Sequence, residues 1–311
     1  MPDVLAHIVG GGRGDGWDIL ARWSFDPTVL LAVLLPGVLY GRGMRRWTAQ
    51  PRLMKPWQPY SFYAGLTVVF VALSSPLDAL ADDLFVMHMV QHLLLLMLAP
   101  PLILVGAPTT PVLLGLPRAA RQHVVKPLMQ SQAVRAAYRL ITAPPVAFGL
   151  FVAAAWSWHF APGAYDAALG NGALHIVQHM TFFGVGMLYW WTIIDPRPLR
   201  SRLAYPTRMG FIIATELQNV GLGAALTLQK SLLYTTYAAG PGLWGLSPLD
   251  DQQAGGATLW IGGVMMLLLA LVVTGLVWFD KGEKQMRKAE AEADRRAQLA
   301  AGGGGGPVFG G

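Results

Sequence analysis

Long apolar stretches recur along the chain, and short polar or basic segments separate them. Hydropathy predicts seven membrane-spanning helices, at residues 27–41, 61–80, 83–106, 143–161, 172–194, 207–229 and 256–279. The first span is short for a hydrocarbon core about 30 Å thick, and the other six are long enough to cross it. We therefore predict an all-α membrane protein whose fold is a seven-transmembrane helix bundle.

Basic residues are distributed unevenly between the two sides of this predicted bundle. Of the 23 Lys and Arg residues, all except Arg13, Arg22 and Lys230 fall in connections on one side or in the C-terminal tail. Because cytoplasmic loops carry an excess of Lys and Arg, the pattern predicts an outer N-terminus and a cytoplasmic C-terminus. The net charge of +6 therefore reflects topology. We expect no nucleic-acid partner.

The same pattern divides the chain into three parts. Residues 1–26 form an outer N-terminal segment, 27–280 the seven-helix transmembrane domain, and 281–311 a charged cytoplasmic tail with a Gly-rich disordered end. The first part of the tail mixes charged residues with Ala and Gln, which favours a helical extension of the last span. The 107–142 connection favours an amphipathic helix at the inner membrane face.

Composition and missing motifs exclude several classes of protein. Only 13% of residues are charged, against about 25% in soluble domains. The chain has no Cys, so a soft-metal site would have to use His and Met. It also lacks a Gly-rich phosphate loop, a nucleophile elbow and a His-Glu-x-x-His zinc motif. We expect a protein that is not an enzyme.

Two five-residue runs place paired imidazoles inside apolar spans. The runs are His88-Met89-Val90-Gln91-His92 and His175-Ile176-Val177-Gln178-His179. Positions i and i+4 share one helix face, and ionisable groups inside a bilayer are costly. The topology places both pairs in the outer third of the membrane, together with His159 from the fourth span. This convergence predicts a metal site. A haem with two His ligands fits less well, and hydrogen-bonded packing is the alternative for any single His.

Five other side chains near these runs or in the outer loops are candidates for accessory roles. Met89 offers a thioether suited to Cu(I), with core packing as the competing interpretation. Gln91 and Gln178 are candidates to orient an imidazole or to join two helices. Asp166 and Asp251 belong to an acidic outer rim, which either draws cations inward or is ordinary loop surface.

Glu216 lies near the middle of the sixth predicted span. A carboxylate at that depth must be protonated, paired or facing water. Glu216 is therefore a candidate for a proton or cation path, and a neutral, hydrogen-bonded structural role is the alternative. No ladder of ligands continues inward from the outer histidines, which favours a metal chaperone over a copper transporter.

Further motifs accompany the histidines between about residues 60 and 280. They are Ala99-Pro100-Pro101-Leu102, Gly106-Ala107-Pro108, Trp158-His159-x-x-Pro162-x-x-Tyr165-Asp166, Leu174-His175-x-x-Gln178-His179, Trp190-Trp191, and Asp251-Gln252-Gln253-Ala254-Gly255 with the later Trp260. In combination they resemble the seven-span CtaG family of cytochrome c oxidase assembly factors.

The resemblance implies a role in the maturation of haem-copper oxidases, with copper handled at the outer membrane face. The family's histidine positions fall on His88, His92, His159, His175 and His179, and its late acidic position falls on Asp251. It implies a multi-pass protein of the bacterial inner (plasma) membrane, surrounded by lipid, with a cytochrome c oxidase subunit as partner. A membrane haem protein in electron transfer and a copper transporter are the alternatives. The sequence does not give the oligomeric state.

Overall fold

The computed structural model describes residues 21–47, 54–195, 201, 203–239 and 243–302. Within these ranges the chain is mostly helical and contains no strand. The α-helices are α1 (Pro27–Arg46), α2 (Gln58–Ser74), α3 (Pro76–Asp83), α4 (Phe85–Leu93), α5 (Ala99–Val105), α6 (Thr109–Gly115), α7 (Arg118–Ala120), α8 (Lys126–Gln130), α9 (Gln132–Ile141), α10 (Pro144–Phe160), α11 (Ala164–Gly170), α12 (Gly172–Ile193), α13 (Tyr205–Thr227) and α14 (Pro248–Gly302). Short π segments at Leu94–Leu98 and Arg121–Val125 and 3₁₀ turns at Thr235–Ala239 and Leu243–Gly245 complete the list.

Several of these helices are long and apolar enough to cross a membrane. Four meet this condition among the described residues, and the number rises to six if two bent helix pairs each count as one span. The pairs are α2 with α3, bent by 45°, and α9 with α10, bent by 64°. Helix α12 coincides with the fifth predicted span, but its two His and its Gln lower its hydropathy. The all-α membrane fold is confirmed, while the count of seven and the orientation stay predictions.

Side-chain caps fix where the helices near the histidines begin. The Asn171 carboxamide accepts hydrogen bonds from the amides of Ala173 and Leu174. This cap starts α12 and places His175 in its first turn. Ser75 separates α2 from α3 and accepts a hydrogen bond from the Leu77 amide. The bend in this predicted span thus lies at a residue that ends one helix and caps the next.

The helix that carries the first His pair changes its winding immediately after that pair. Residues Leu94–Leu98 form a π segment that leads into Ala99-Pro100-Pro101. Neither proline has an amide hydrogen, so the Leu96 carbonyl lacks both an i+4 and an i+5 donor. The Trp190 indole donates to this oxygen over 3.1 Å. A side chain of α12 thereby replaces the missing bond and holds α12 against the break.

Helix α14 packs along α13 and then continues far beyond it. The Asn219 side-chain amide on α13 donates to the Leu259 carbonyl over 2.9 Å, and a Cβ on Gly263 would lie 1.8 Å from the same amide nitrogen. A Cβ on Gly256 would also lie 2.6 Å from the Thr227 backbone nitrogen, and because backbone cannot move aside as a side-chain amide can, glycine at position 256 fixes the α13–α14 spacing. Asn219 therefore joins two helices.

The predicted helical extension beyond residue 281 is present as the last part of α14. Ion pairs between residues four apart, Lys284–Asp280 and Arg287–Glu283, lie along its exposed surface. Residues 1–20 and 303–311, which hold most of the predicted N-terminal segment and the Gly-rich end, lie outside the described residues. Residues 48–53, 196–200 and 202, with several basic residues of the topology argument, also lie outside them.

Candidate metal centre

The five predicted histidines meet at one end of the helix bundle. Helix α4 supplies His88 and His92, the last turn of α10 supplies His159, and the start of α12 supplies His175 and His179. Ring centroids of neighbouring members lie 4.2–5.9 Å apart. Four of the rings are buried, and that of His175 is partly exposed. His175 is therefore the member of the cluster that can be reached from the protein surface.

Three of these rings approach one another through their Nε2 atoms. The Nε2 of His88 lies 3.3 Å from that of His175 and 3.4 Å from that of His179. A tetrahedral ion with metal–nitrogen bonds of about 2.0–2.1 Å holds its nitrogen ligands about 3.3–3.4 Å apart. Each of these two separations, taken as a pair, matches this requirement.

His92 extends this group towards the interior of the bundle. Ligand atoms of His88, His92 and His179 all lie within 4.8 Å of one another. Both ring nitrogens of His92 are buried, and neither has a hydrogen-bond partner in the part of the chain that the structure describes. An unpaired buried polar atom costs about 1–3 kcal/mol, and such atoms are rare in native proteins. This ring is therefore satisfied only if it binds something else.

Two tyrosines fix the orientation of the His88 ring. The hydroxyl oxygens of Tyr165 and Tyr237 each lie 2.9 Å from His88 Nδ1. The Tyr237 hydroxyl donates to the Ala81 carbonyl over 3.0 Å, so its oxygen can accept a hydrogen bond from Nδ1–H. In the tautomer assigned from these bonds, the Nε2 lone pair faces His175 and His179. Partners of this kind orient ligand imidazoles in metal sites.

Asp166 anchors the loop that carries Tyr237. Its carboxylate accepts hydrogen bonds from the amides and hydroxyls of Thr235 and Thr236, over 2.9–3.3 Å. Burial raises the pKa of Asp166, but the hydrogen bonds from Thr236 and Thr235 outweigh burial and hold it below its ordinary value. The acidic residue acts on the site through the loop, and its oxygens are occupied by this contact.

Asp251 caps the helix that carries the first His pair. It is buried at the start of α14, and its carboxylate accepts hydrogen bonds from the amides of Phe85 and Val86 over 2.7 and 3.0 Å. Helix α4 has no cap from its own Leu84. A carboxylate at a helix N-terminus also interacts favourably with the helix dipole. Asp251 thus sets the position of α4, and His88 follows within its first turn.

The remaining accessory candidates differ in their contacts. The Gln91 amide donates to the Ala72 carbonyl and to Asp78 Oδ1, over 2.7 and 2.8 Å, and so joins α4 to the α2–α3 bend. Gln178 is fully buried, and its amide has no hydrogen-bond partner within the described ranges. The Met89 sulfur lies 3.4 Å from His159 Nε2. Of Gln91, Gln178 and Met89, Met89 is the one whose polar contact within the described residues is with an imidazole.

Glu216 lies on α13, outside the histidine cluster. Both carboxylate oxygens are buried and lack a hydrogen-bond partner among the described residues. In those residues, one group of three or more His, Asp or Glu has its ligand atoms close enough to hold a metal ion, and it consists of His88, His92 and His179. The structure therefore leaves the proton-path and structural interpretations of Glu216 open, and it joins Glu216 to no other potential metal ligand.

Sequence reasoning missed the tyrosines around the cluster. Tyr234 donates to the His159 carbonyl over 3.1 Å, and Tyr165 and Tyr237 contact His88 as described above. Tyr165 stands beside Asp166 in one of the motifs, which is the signal that was available. Nothing local distinguishes Tyr234 and Tyr237, which belong to an outer connection whose fold depends on distant contacts.

A helical membrane protein with a buried histidine centre is the class that this fold and site define. The family model for cytochrome c oxidase caa3 assembly factors (Caa3_CtaG) matches residues 38–281, a range that includes all five histidines. The chain belongs to this family.

Three curated mycobacterial proteins are similar to the chain. An uncharacterized protein of Mycobacterium bovis and one of Mycobacterium tuberculosis are each 28% identical over 291 residues, 90% of this chain and 42% of the relative. One of Mycobacterium leprae is 24% identical over 279 residues, 88% of this chain and 42% of the relative. The chain thus spans less than half the length of these relatives. No solved structure matches it significantly.

Proposed function

We propose that this protein binds copper at the histidine cluster and delivers it to a nascent subunit of a haem-copper cytochrome c oxidase. It acts as a non-catalytic assembly factor in the bacterial plasma membrane. The observation that carries the proposal is the separation of 3.3–3.4 Å between His88 Nε2 and its two counterparts on α12. Family membership supplies the pathway, and the unpaired His92 nitrogens supply a reason for the cluster to bind an ion.

The donor atoms favour copper over the hard divalent ions, and the general affinity order of divalent metals places Cu(II) above zinc. Imidazole suits copper and zinc, whereas magnesium and calcium prefer oxygen ligands. Carboxylates near the cluster, on Asp166 and Asp251, are occupied by backbone and threonine donors. The position of the cluster at the predicted outer end of the bundle would allow transfer without passage of copper through the membrane.

The haem alternative has weaker support from the geometry. Two axial imidazoles bind on opposite faces of a haem iron, with nitrogens about 4 Å apart and the porphyrin between them. The Nε2 atoms of the cluster are closer than this. The copper-transporter alternative needs further ligands at greater depth, and Glu216 belongs to no such group within the described residues.

Metal analysis and visible spectra of purified protein test the proposal together. We expect copper in the wild type, loss of that copper in the His88→Ala/His179→Ala variant, and no Soret band in either. His123→Ala is the matched control, because His123 is exposed on the connection at the other end of the bundle. A Soret band that disappears in the double variant would establish the haem alternative instead. A wild type that takes up neither copper nor haem would contradict both.

Oxidase activity of cells tests the delivery step. The His88→Ala/His92→Ala variant should lower cytochrome c oxidase activity while oxidase transcripts and the amount of this protein stay unchanged. Supply of excess copper should restore part of the activity if the defect is one of delivery. Full activity in the variant would show that the histidines are not needed for assembly.

A further inference from the structure

The buried imidazole of His159 and the buried thioether of Met89 face each other beside the cluster formed by His88, His175 and His179. His159 Nε2 lies 3.4 Å from Met89 Sδ, and the other ring nitrogen, Nδ1, lies 2.6 Å from the Ala155 carbonyl oxygen. Both side chains are at most 5% exposed. The ring is therefore held between a carbonyl oxygen on one side and a sulfur on the other.

No neutral form of His159 makes a good contact on both sides. A carbonyl oxygen only accepts hydrogen bonds, so the short contact to Ala155 assigns the proton to Nδ1. Nε2 then carries a lone pair that points at a thioether, which is itself only a weak acceptor. In the opposite tautomer Nδ1 and the carbonyl oxygen would repel each other. A doubly protonated ring would bury a positive charge, and none of the described ion pairs includes His159.

We propose that Met89 Sδ and His159 Nε2 bind one Cu(I) ion between them. A soft cation between the two atoms would remove the unfavourable contact, because it accepts the lone pairs of both the nitrogen and the sulfur. Thioether sulfur favours Cu(I) over the harder divalent ions. The geometry allows it: bonds of about 2.0 Å to nitrogen and 2.3 Å to sulfur, the lengths found for another d¹⁰ ion, combine with the observed separation to an angle of about 104° at the metal.

His92 is the neighbour that can complete this second position. Its ring centroid lies 5.9 Å from that of His159 and 4.3 Å from that of His88, and both of its nitrogens lack hydrogen-bond partners among the described residues. His92 thus stands between a position made only of imidazoles and one that includes sulfur. The inference rests on the proposed copper function and adds the oxidation state: the protein holds copper as Cu(I) at its sulfur-containing side.

X-ray absorption at the copper edge tests this assignment on full-length protein in detergent, loaded anaerobically with one equivalent of Cu(I). We expect one sulfur scatterer at about 2.3 Å in the wild type and none in Met89→Leu. Leu replaces Met with little change of volume, so the core should tolerate it. The same variant should bind Cu(I) at least tenfold more weakly while its affinity for Cu(II), which does not use sulfur, changes little.

Met97→Leu is the matched control, because Met97 is a buried methionine about two helical turns further along the same span. It should keep the sulfur scatterer. Wild-type protein that binds Cu(I) through nitrogen alone would overturn the sulfur position and leave the proposed copper function intact. Wild-type protein that binds copper in neither oxidation state would overturn both. The wild-type spectrum decides between these outcomes even if the Met89 variant fails to fold.

Discussion

Two buried polar side chains, one near each end of the bundle, differ in their hydrogen bonding. At the predicted inner end, the Arg208 guanidinium donates to the Ile193 and Leu203 carbonyls and forms an ion pair of 2.9 Å with Asp195. At the predicted outer end, His92 is just as buried but makes no hydrogen bond to the described residues. The polar groups of Arg208 are therefore paired within the folded chain, whereas those of His92 are not paired within the described residues.

This difference separates stability from function within one molecule. A buried polar group that is fully paired adds rigidity, and one that is left unpaired lowers stability. The outer cluster retains such groups beside a well-anchored frame made by Tyr165, Tyr237 and Asp251. The frame holds the imidazoles in place, which is the arrangement that the proposed copper site requires.

Removal of Arg208 should have the largest effect on stability. Arg208→Met removes the main partner of the Asp195 carboxylate, whose side chain is 25% exposed and keeps Lys281 at 3.5 Å. The loss should therefore cost about 1–3 kcal/mol, between the values for surface and buried ion pairs. Thermal unfolding in detergent should show a clearly lower midpoint. The double variant Arg208→Met/Asp195→Asn should recover part of the loss. A midpoint within a degree or two of the wild type would mean that the inner end is not the stable one.

Removal of one hydroxyl at the outer end should instead act on metal affinity. Tyr237→Phe deletes the oxygen that accepts from His88 Nδ1–H and keeps the ring, so copper affinity should fall about 10- to 100-fold with little change in unfolding. Tyr40→Phe, which deletes a buried hydroxyl bonded to the Gly106 carbonyl away from the cluster, is the control and should keep full affinity. Equal losses in both variants would point to general damage.

Most substitutions in a protein core lower the free energy of unfolding, but replacement of His92 by an apolar residue should raise it. His92→Leu removes two unpaired nitrogens, so the metal-free protein should become more stable by about 1–2 kcal/mol while copper binding weakens. Chemical denaturation of metal-free wild type and variant checks the first effect, and copper titration the second. Lower stability of the metal-free variant would show that these nitrogens have partners after all.

Acid should weaken the inner end by a smaller amount. Burial raises the pKa of Asp195, but the hydrogen bond and charge of Arg208, with help from Ser201 and Lys281, hold it below its ordinary value. A lowered folded-state pKa contributes stability above the unfolded value, near pH 4, and this contribution disappears as pH falls through the folded value. Unfolding free energies measured from about pH 5 to about pH 3 should fall more steeply for the wild type than for Asp195→Asn.

Local periodicity and topology predicted five histidines at one depth, but whether they all face one cavity depends on helix rotation, which the sequence did not give. His88 with His92 and His175 with His179 are spaced for one helix face, and hydropathy with charge asymmetry placed both faces at the same depth. Long-range contacts were beyond such reasoning, because Tyr237 reaches His88 across 149 positions and Asp251 caps α4 across 166. The roles of these residues depend on how helices rotate and pack.

The same limit applies to the fold. Hydropathy located the apolar segments, but it did not predict that Ser75 divides the span at 61–80. Nor did it predict that the helical winding changes before Pro100 and Pro101 in the span at 83–106. The first break coincides with the capping hydroxyl of Ser75, and the second follows from the two prolines, whose missing hydrogen bond to the Leu96 carbonyl is replaced by the distant Trp190 indole. The same limit applies to Met89 in the site. Its position in an apolar helix favoured core packing, and only the fold reveals its contact with His159.

Helix α14 connects the two ends in a way that has a mechanical consequence. Its 55 residues span about 82 Å at 1.5 Å per residue, with Asp251 in the first turn and the charged extension at the far end. A tilt of about 3° around its midpoint moves each end by about 2 Å in opposite directions. Because Asp251 caps α4, a displacement of the charged extension by this amount would also move the cap of the helix that carries His88 and His92.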